Sequence, residues 1–399
     1  MDVDDRRLAT RVSGMRTSLV REMVAAAGSR PLLSLAGGLP PVEAFPYAEL
    51  RAASDRLLAS AEPAVLQYSP TEGDPRLLAL VATDLRARQG IAVADGCVVI
   101  TTGSQQALDL AARLLLDPGD VAVVERPAYV GALRALAAYQ PRIVGVGVDD
   151  QGMDTSRLAA LLDEGLRPKL CYAVPNFSNP SGATMSAARR AHLAELSAQY
   201  GFVIVEDDPY GELRFRGEHV EPIAALGVGD VLYLGSFSKI VAPALRVGYA
   251  AAPAWLAPAM VVAKQATDLT SSAFNQLLVA ELLETDGWLA AHVARLRPLY
   301  AERCQALLAS IDRHLGGRLR PNVPEGGMFV WASIEVPGID AVALTAACLA
   351  RDVAVVPGTE FTVDEGCERE VRLSFSMLAP AGLDEAVRRM ALAFEDLSD

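Results

Sequence analysis

The chain has 399 residues, 51% of them hydrophobic, with 36 Lys and Arg against 49 Asp and Glu and a formal net charge of −13. That length and composition exclude a disordered or fibrous chain and set two domains as the expectation. The acidic balance argues against nucleic acid or an anionic membrane surface as the main partner.

The five cysteines (Cys97, Cys171, Cys304, Cys348, Cys367) are scattered and form no C-x-x-C pair. They read as reduced thiols of a cytoplasmic protein. The first residues are charged without an apolar core segment, so no signal peptide is expected. Nor does any apolar run reach the ~18 residues of a membrane span.

In chain order, an amphipathic segment at Thr17–Ala27 and the run Gly37-Gly38-Leu39-Pro40-Pro41 come first. They are too little to fold alone, and residues 1–45 are expected to pack against the C-terminal part. A strand at Cys97–Thr101 runs into Thr102-Gly103-Ser104-Gln105 and a helix at Gln105–Leu116. With Ser104 as its cap, that helix start is either an ordinary βα turn or a phosphate site built from free N–H groups. Next, Val121–Val124 is followed by Arg126-Pro127-Ala128-Tyr129, where Tyr129 can stack on a flat ring.

The strand Leu170–Val174 leads to Asn176-Phe177-Ser178-Asn179-Pro180-Ser181-Gly182, explicable as a turn or as an amide donor at Asn179. A helix at Ala187–Tyr200 stops at Gly201, and Phe202–Val205 leads to Glu206-Asp207-Asp208-Pro209-Tyr210. Those carboxylates suit solvated charge, a metal, or the group that keeps a pyridine nitrogen protonated. The four histidines lack ligand spacing, so no metal site is expected. Strands at Val231–Leu234 and Val247–Ala250 bracket Gly235-Ser236-Phe237-Ser238-Lys239 and Arg246.

Two hydroxyls, an amine and a guanidinium after a strand end make an anion pocket, or a surface loop with an incidental lysine. If the chemistry needs an amine, only three lysines exist: Lys169, Lys239 and Lys264. Lys169 precedes a strand, at the wrong sheet end. Lys264 lies in a helical run, where a solvated or supporting lysine is the default. Lys239 is therefore the candidate.

Buried-looking strands alternating with helices predict an α/β domain over 46–270. After that the texture changes to a smaller α+β domain over 271–399. It has helices at Phe274–Leu283 and Trp288–Leu315 (broken or kinked at Pro298), a strand at Met328–Ala332, a helix at Ala341–Ala350, a strand at Val371–Phe375 and a helix near Leu383–Leu397. Arg372 sits in an otherwise apolar strand, costly unless paired, and suited to a substrate carboxylate.

Taken together and in this order, these motifs resemble the class I/II aminotransferases of the fold-type I pyridoxal-phosphate enzymes, over about Thr17 to Leu397. The runs Ser34-Leu35-Ala36-Gly37-Gly38-Leu39-Pro40, Leu66-Gln67-Tyr68-Ser69-Pro70, Gly103-Ser104-Gln105-Gln106, Ser236-Phe237-Ser238-Lys239 and Gly326-Gly327-Met328-Phe329 resemble most the branch of 2-aminoadipate and kynurenine aminotransferases. The resemblance implies a large domain with a mostly parallel seven-stranded sheet flanked by helices, a small domain, and pyridoxal 5′-phosphate as cofactor. It implies that Lys239 forms the Schiff base, Asp207 pairs with the pyridinium nitrogen, and Asn179 and Tyr210 hold the ring oxygen. Tyr129 would stack on the ring, while Ser104, Gln105, Ser236, Ser238 and Arg246 hold the phosphate. Tyr68 would reach the phosphate of a neighbouring subunit, making a homodimer with composite sites.

Arg372 would bind the substrate α-carboxylate, with Arg21 and Gly38 lining the side-chain end. The implied reaction moves an amino group between an L-amino acid and a 2-oxo acid, with ping-pong kinetics through pyridoxamine phosphate. Glutamate and 2-oxoglutarate are the expected pair. A lyase, decarboxylase or cyclase on the same scaffold is the rival reading. A sensor domain of a MocR-type regulator is the remote one.

Overall fold

The computed structural model describes Ala9 and residues 32–398. The helix expected at Thr17–Ala27, and with it Arg21, lies outside the described residues. The strands are β1 (Leu33–Ser34), β2 (Val98–Thr101), β3 (Val121–Arg126), β4 (Arg142–Asp149), β5 (Gly152–Met153), β6 (Pro168–Ala173), β7 (Val203–Asp207), β8 (Asp230–Ser236) and β9 (Gly248–Ala251). Five more follow: β10 (Leu319–Pro321), β11 (Phe329–Ile334), β12 (Val353–Ala354), β13 (Val356–Pro357) and β14 (Glu370–Ser374).

Strands β2 to β9 form one sheet of eight, ordered β2-β9-β8-β7-β6-β3-β4-β5. From β8 across to β4 every pairing is parallel, while β9 runs antiparallel to both β8 and β2. The expectation of seven strands is met by the longer ones. The eighth, β5, has two residues folded back on β4. The interior strands β6 and β7 are buried along almost their whole length, as a parallel sheet covered by helices on both faces requires. β4 shows no apolar run because Gly145 and Gly147 interrupt it, and most of it is only half buried.

The helix after β2, α3 (Ser104–Leu115), follows α1 (Tyr47–Ser60) and α2 (Pro75–Ala87). Gly103, not Ser104, is its cap residue, and no side chain caps that end. The reason is conformational. Residue 103 has φ +79°, and a Cβ there would fall 2.5 Å from Nη2 of Arg246, so only glycine brings the helix start and the guanidinium this close. Instead, Oε1 of Gln106 accepts from the N–H of Thr102 at 2.7 Å.

The second sheet has four antiparallel strands, β10-β11-β14-β13. The chain start is tied to the same region: β1 pairs in parallel with β12. The long helix Trp288–Leu315 continues unbroken through Pro298, which removes the break from the two expected alternatives, break or kink. Ala294, whose carbonyl loses its donor, and Pro298 both lie on the exposed side, so water satisfies the orphaned oxygen and the helix persists.

Candidate active site

The parallel strands deliver their polar residues to one edge of the large sheet. β7 ends on Asp207 and β8 on Ser236. β3 and β6 lead into the loops bearing Tyr129 and Asn179, and Gly103 opens α3 beside them. There, Ser104, Gln105, Tyr129, Asn179, Asp207, Tyr210, Ser236, Ser238, Lys239 and Arg246 line one cavity of about 530 Å³. From the four-stranded sheet and the segment after β1, Arg372, Phe329 and Ala36–Leu39 complete it. All the site residues expected from the sequence are thus gathered except two. Arg21 is not among the described residues, and Tyr68 is 75% exposed, away from this cavity.

Lys239 is half buried, and its Nζ donates to the Gly38 carbonyl at 2.8 Å. Burial, reinforced by the charges of Arg246 and Arg372, pulls its amine down to about 8. Of the other lysines, Lys169 is exposed. Lys264, expected in a solvated or supporting position, is fully buried and pairs with Asp268 at 2.9 Å. Asp268 in turn accepts from the hydroxyl of Thr102 at 2.9 Å, so this ion pair braces the loop ahead of α3 and is spent on that bracing.

Asp207 is buried, and its Oδ2 accepts from the Tyr172 hydroxyl at 2.8 Å. Its Oδ1 has no hydrogen-bond partner although it too is buried. Burial pushes the carboxyl up to about 7 against the lowering effect of Tyr172. Such a group is expensive to leave open. A protonated ring nitrogen in the cavity supplies the missing donor and the missing charge, so the floor fits the cofactor.

Arg372 is the second unsatisfied group. Its Nη1 donates to Oδ1 of Asn179 at 2.8 Å and its Nη2 to the Ala36 carbonyl, while Nε is left without a partner. The guanidinium lies over the rings of Phe329 (4.4 Å) and Phe361 (4.9 Å). Among the described residues no acid pairs with it, and burial lowers it to about 10. A buried cation without a counter-charge calls for a carboxylate from the ligand.

At the opposite end, Arg246 donates to the Thr102 carbonyl at 3.1 Å, beside the free N-terminus of α3. Tyr129 reaches Oε1 of Gln105 at 3.4 Å, and Gln105 donates to the Gly131 carbonyl at 3.0 Å. Asn179 also hydrogen-bonds the Tyr210 hydroxyl, whose ionisation burial pushes far upward. Three contributors escaped the sequence reading: Tyr172, Phe329 and Phe361. Tyr172 and Phe329 sit in buried strands that read as core and Phe361 in a short turn, and only the partner brought beside each by folding, Asp207 on the neighbouring strand or Arg372, reveals the second role.

A model of the family Aminotransferase class I and II matches residues 31–390. The chain belongs to this family. It is similar to Aromatic-amino-acid aminotransferase 1 of Thermococcus litoralis, at 38% identity over 95% of this chain and 91% of that one. The kynurenine aminotransferase of Pyrococcus horikoshii, solved with PMP, superposes with a TM-score of 0.93 at 36% identity, covering 99% and 98% of the two chains. LysN, the α-aminoadipate aminotransferase of Thermus thermophilus, solved with N-(5′-phosphopyridoxyl)-L-leucine, gives 0.91 at 37% identity over 98% of each. This aminotransferase is accordingly a pyridoxal-phosphate-dependent transaminase of fold type I that moves an amino group from an amino acid substrate. Among its described residues no helix is long and apolar enough to cross a membrane.

Proposed function

We propose that Lys239 is the cofactor-binding and proton-transferring amine and that glutamate with 2-oxoglutarate forms one of the substrate pairs. The observation that carries the first part is the open Oδ1 of Asp207 in the same cavity as a half-buried lysine of lowered basicity. When bound, pyridoxal phosphate supplies an aldehyde for an amine and a protonated ring that draws electrons from the substrate Cα. The chain supplies the rest. Asp207 holds a proton on the ring nitrogen, Asn179 and Tyr210 donate to the ring oxygen, and Tyr129 covers one face. Ser104, Gln105, Ser236, Ser238 and Arg246 hold the phosphate beside the positive end of α3. Arg372 takes the α-carboxylate, and the neutral Nζ of Lys239 removes the Cα proton.

Borohydride reduction of the loaded enzyme followed by peptide mapping tests the assignment. The tag is expected on Lys239, and a tag on Lys169 or Lys264 overturns it. For the substrate pair, Gly38 lines the cavity, and the curated relatives supply the precedent of an acidic substrate in aminoadipate. Arg21 is the proposed partner of the distal carboxylate. Arg21→Ala should lower kcat/KM for 2-oxoglutarate about tenfold or more, the scale of one lost charge-assisted hydrogen bond, while an apolar 2-oxo acid is spared. Equal kcat/KM in mutant and wild type removes the role.

We assign Tyr68 to the phosphate of a second subunit, which makes the working enzyme a homodimer. Its 75% exposure outside its own cavity supports this reading. We further propose a segment at 1–45, a large domain at 46–270 and a small one at 271–399, on the change of element texture along the chain, and a cytoplasmic enzyme, on its scattered cysteines.

A further inference from the structure

We infer that Glu125 is a positioning residue, locking the loop of Asn179 and the loop of Tyr129 into one register through a single buried carboxyl group. The inference rests on the roles proposed above for Asn179 and Tyr129. Glu125 is the penultimate residue of β3 and is 2% exposed. Its neighbours Ala122, Val123 and Val124 are fully buried apolar residues, so packing alone calls for another of their kind. Instead, Oε2 of Glu125 accepts from the Ser178 hydroxyl at 2.9 Å and from the Val174 N–H at 3.4 Å. No cation pairs with it among the described residues.

Both bonds go to the segment that carries Asn179. Val174 directly follows β6, and Ser178 directly precedes Asn179 in a tight loop closed by Gly182 N–H to Ser178 carbonyl (2.6 Å) and Ser178 N–H to Ala183 carbonyl (2.9 Å). On its own strand, Glu125 is followed by Arg126-Pro127-Ala128-Tyr129. Ala128 is pinned from the other side by its N–H to the Phe361 carbonyl at 2.8 Å. One carboxyl therefore fixes the approach of two groups that touch different parts of the ring.

Leaving such a carboxyl ionised in the core is costly, and burial pushes it up to about 8. Near neutrality it is mostly the uncharged acid, whose acceptor oxygen a glutamine can replace. The asymmetry between an amide and an apolar replacement is what separates positioning from packing.

The readout is the pH midpoint of the visible absorbance of the pyridoxal-phosphate-loaded enzyme. An amide donor on the ring oxygen stabilises the oxygen's anion and lowers that midpoint. Glu125→Leu, which keeps the volume but removes the acceptor, should raise it by about 0.5 pH unit or more, the equivalent of a partly lost hydrogen bond. Glu125→Gln should retain the wild-type midpoint. Asn179→Ala is measured alongside. If Asn179→Ala moves the midpoint and a folded, loaded Glu125→Leu does not, the inference falls. Should Asn179→Ala itself change nothing, the fault lies in the reading of Asn179. If Glu125→Leu fails to fold, Ser178→Ala decides, since it removes the donor at the other end of the same bond. A shift in the same direction supports the inference, and an unmoved midpoint overturns it.

Discussion

At the scale of single residues, the site is a set of groups held away from their ordinary protonation by burial. Lys239 is the clearest. Its charged form is disfavoured by desolvation and by two guanidinium groups, so the neutral amine accumulates above pH about 8 and not above the usual ~10.4. Capture of pyridoxal phosphate by cofactor-free enzyme should then quicken as pH rises through about 8 and level off beyond it. A stopped-flow rate that keeps climbing toward pH 10 would show an unperturbed amine. The residues at strand ends were legible in the sequence because polar groups interrupt apolar runs there, as with Asp207 and Ser236. Tyr172 was not, because a tyrosine in a buried strand is ordinary until the Asp207 carboxylate beside it is known. For Lys264 the helical run left a solvated or a supporting lysine open, and the Asp268 partner, which makes its full burial tolerable, decides for support.

Elements set where those residues meet. The close approach of α3 to Arg246 depends on residue 103, where any side chain meets both positive φ and the guanidinium 2.5 Å away. Gly103→Ala should weaken pyridoxal-phosphate affinity about tenfold, or ~1.4 kcal/mol, because Arg246 must withdraw from the helix start to admit the methyl group, and the strained backbone should also lower the thermal midpoint of the apoprotein. Equilibrium dialysis showing equal affinity would remove the phosphate role of this turn. Most helices and strands were legible from periodicity, with boundaries displaced by one or two residues. β4 was missed because its glycines and its half-exposed face erase the apolar run. At Pro298, of the break or kink that a proline signals, the break does not occur, because a solvent-facing position lets the helix run on.

For the whole molecule, the decisive question is whether two chains share each site. Tyr68 and Lys239 give a direct assay. Lys239→Ala and Tyr68→Ala are each expected to be nearly inactive alone. Unfolding and refolding them as an equal mixture should restore about a quarter of wild-type activity, since half the dimers are mixed and each mixed dimer carries one intact site. No recovery, with dimers shown by sedimentation, would place Tyr68 within its own subunit's function. The fold class was legible at this scale because alternating strands and helices admit few arrangements. The attachment of the segment around β1 to the C-terminal strands was legible only as a remainder, residues too few to fold alone. What fixes it is the pairing of β1 with β12 and the carbonyl of Ala36 on Arg372.

The distribution of the three lysines has a practical corollary. One is exposed, one is sealed inside an ion pair, and one faces the cavity with a nitrogen that gives up its proton more readily than an ordinary lysine. Amine-directed reagents applied to the empty enzyme near neutral pH therefore have, apart from the surface site and the chain terminus, a single place to go. Labelling stoichiometry becomes a gauge of vacancy, a built-in reporter that a lysine-rich homologue would drown in background.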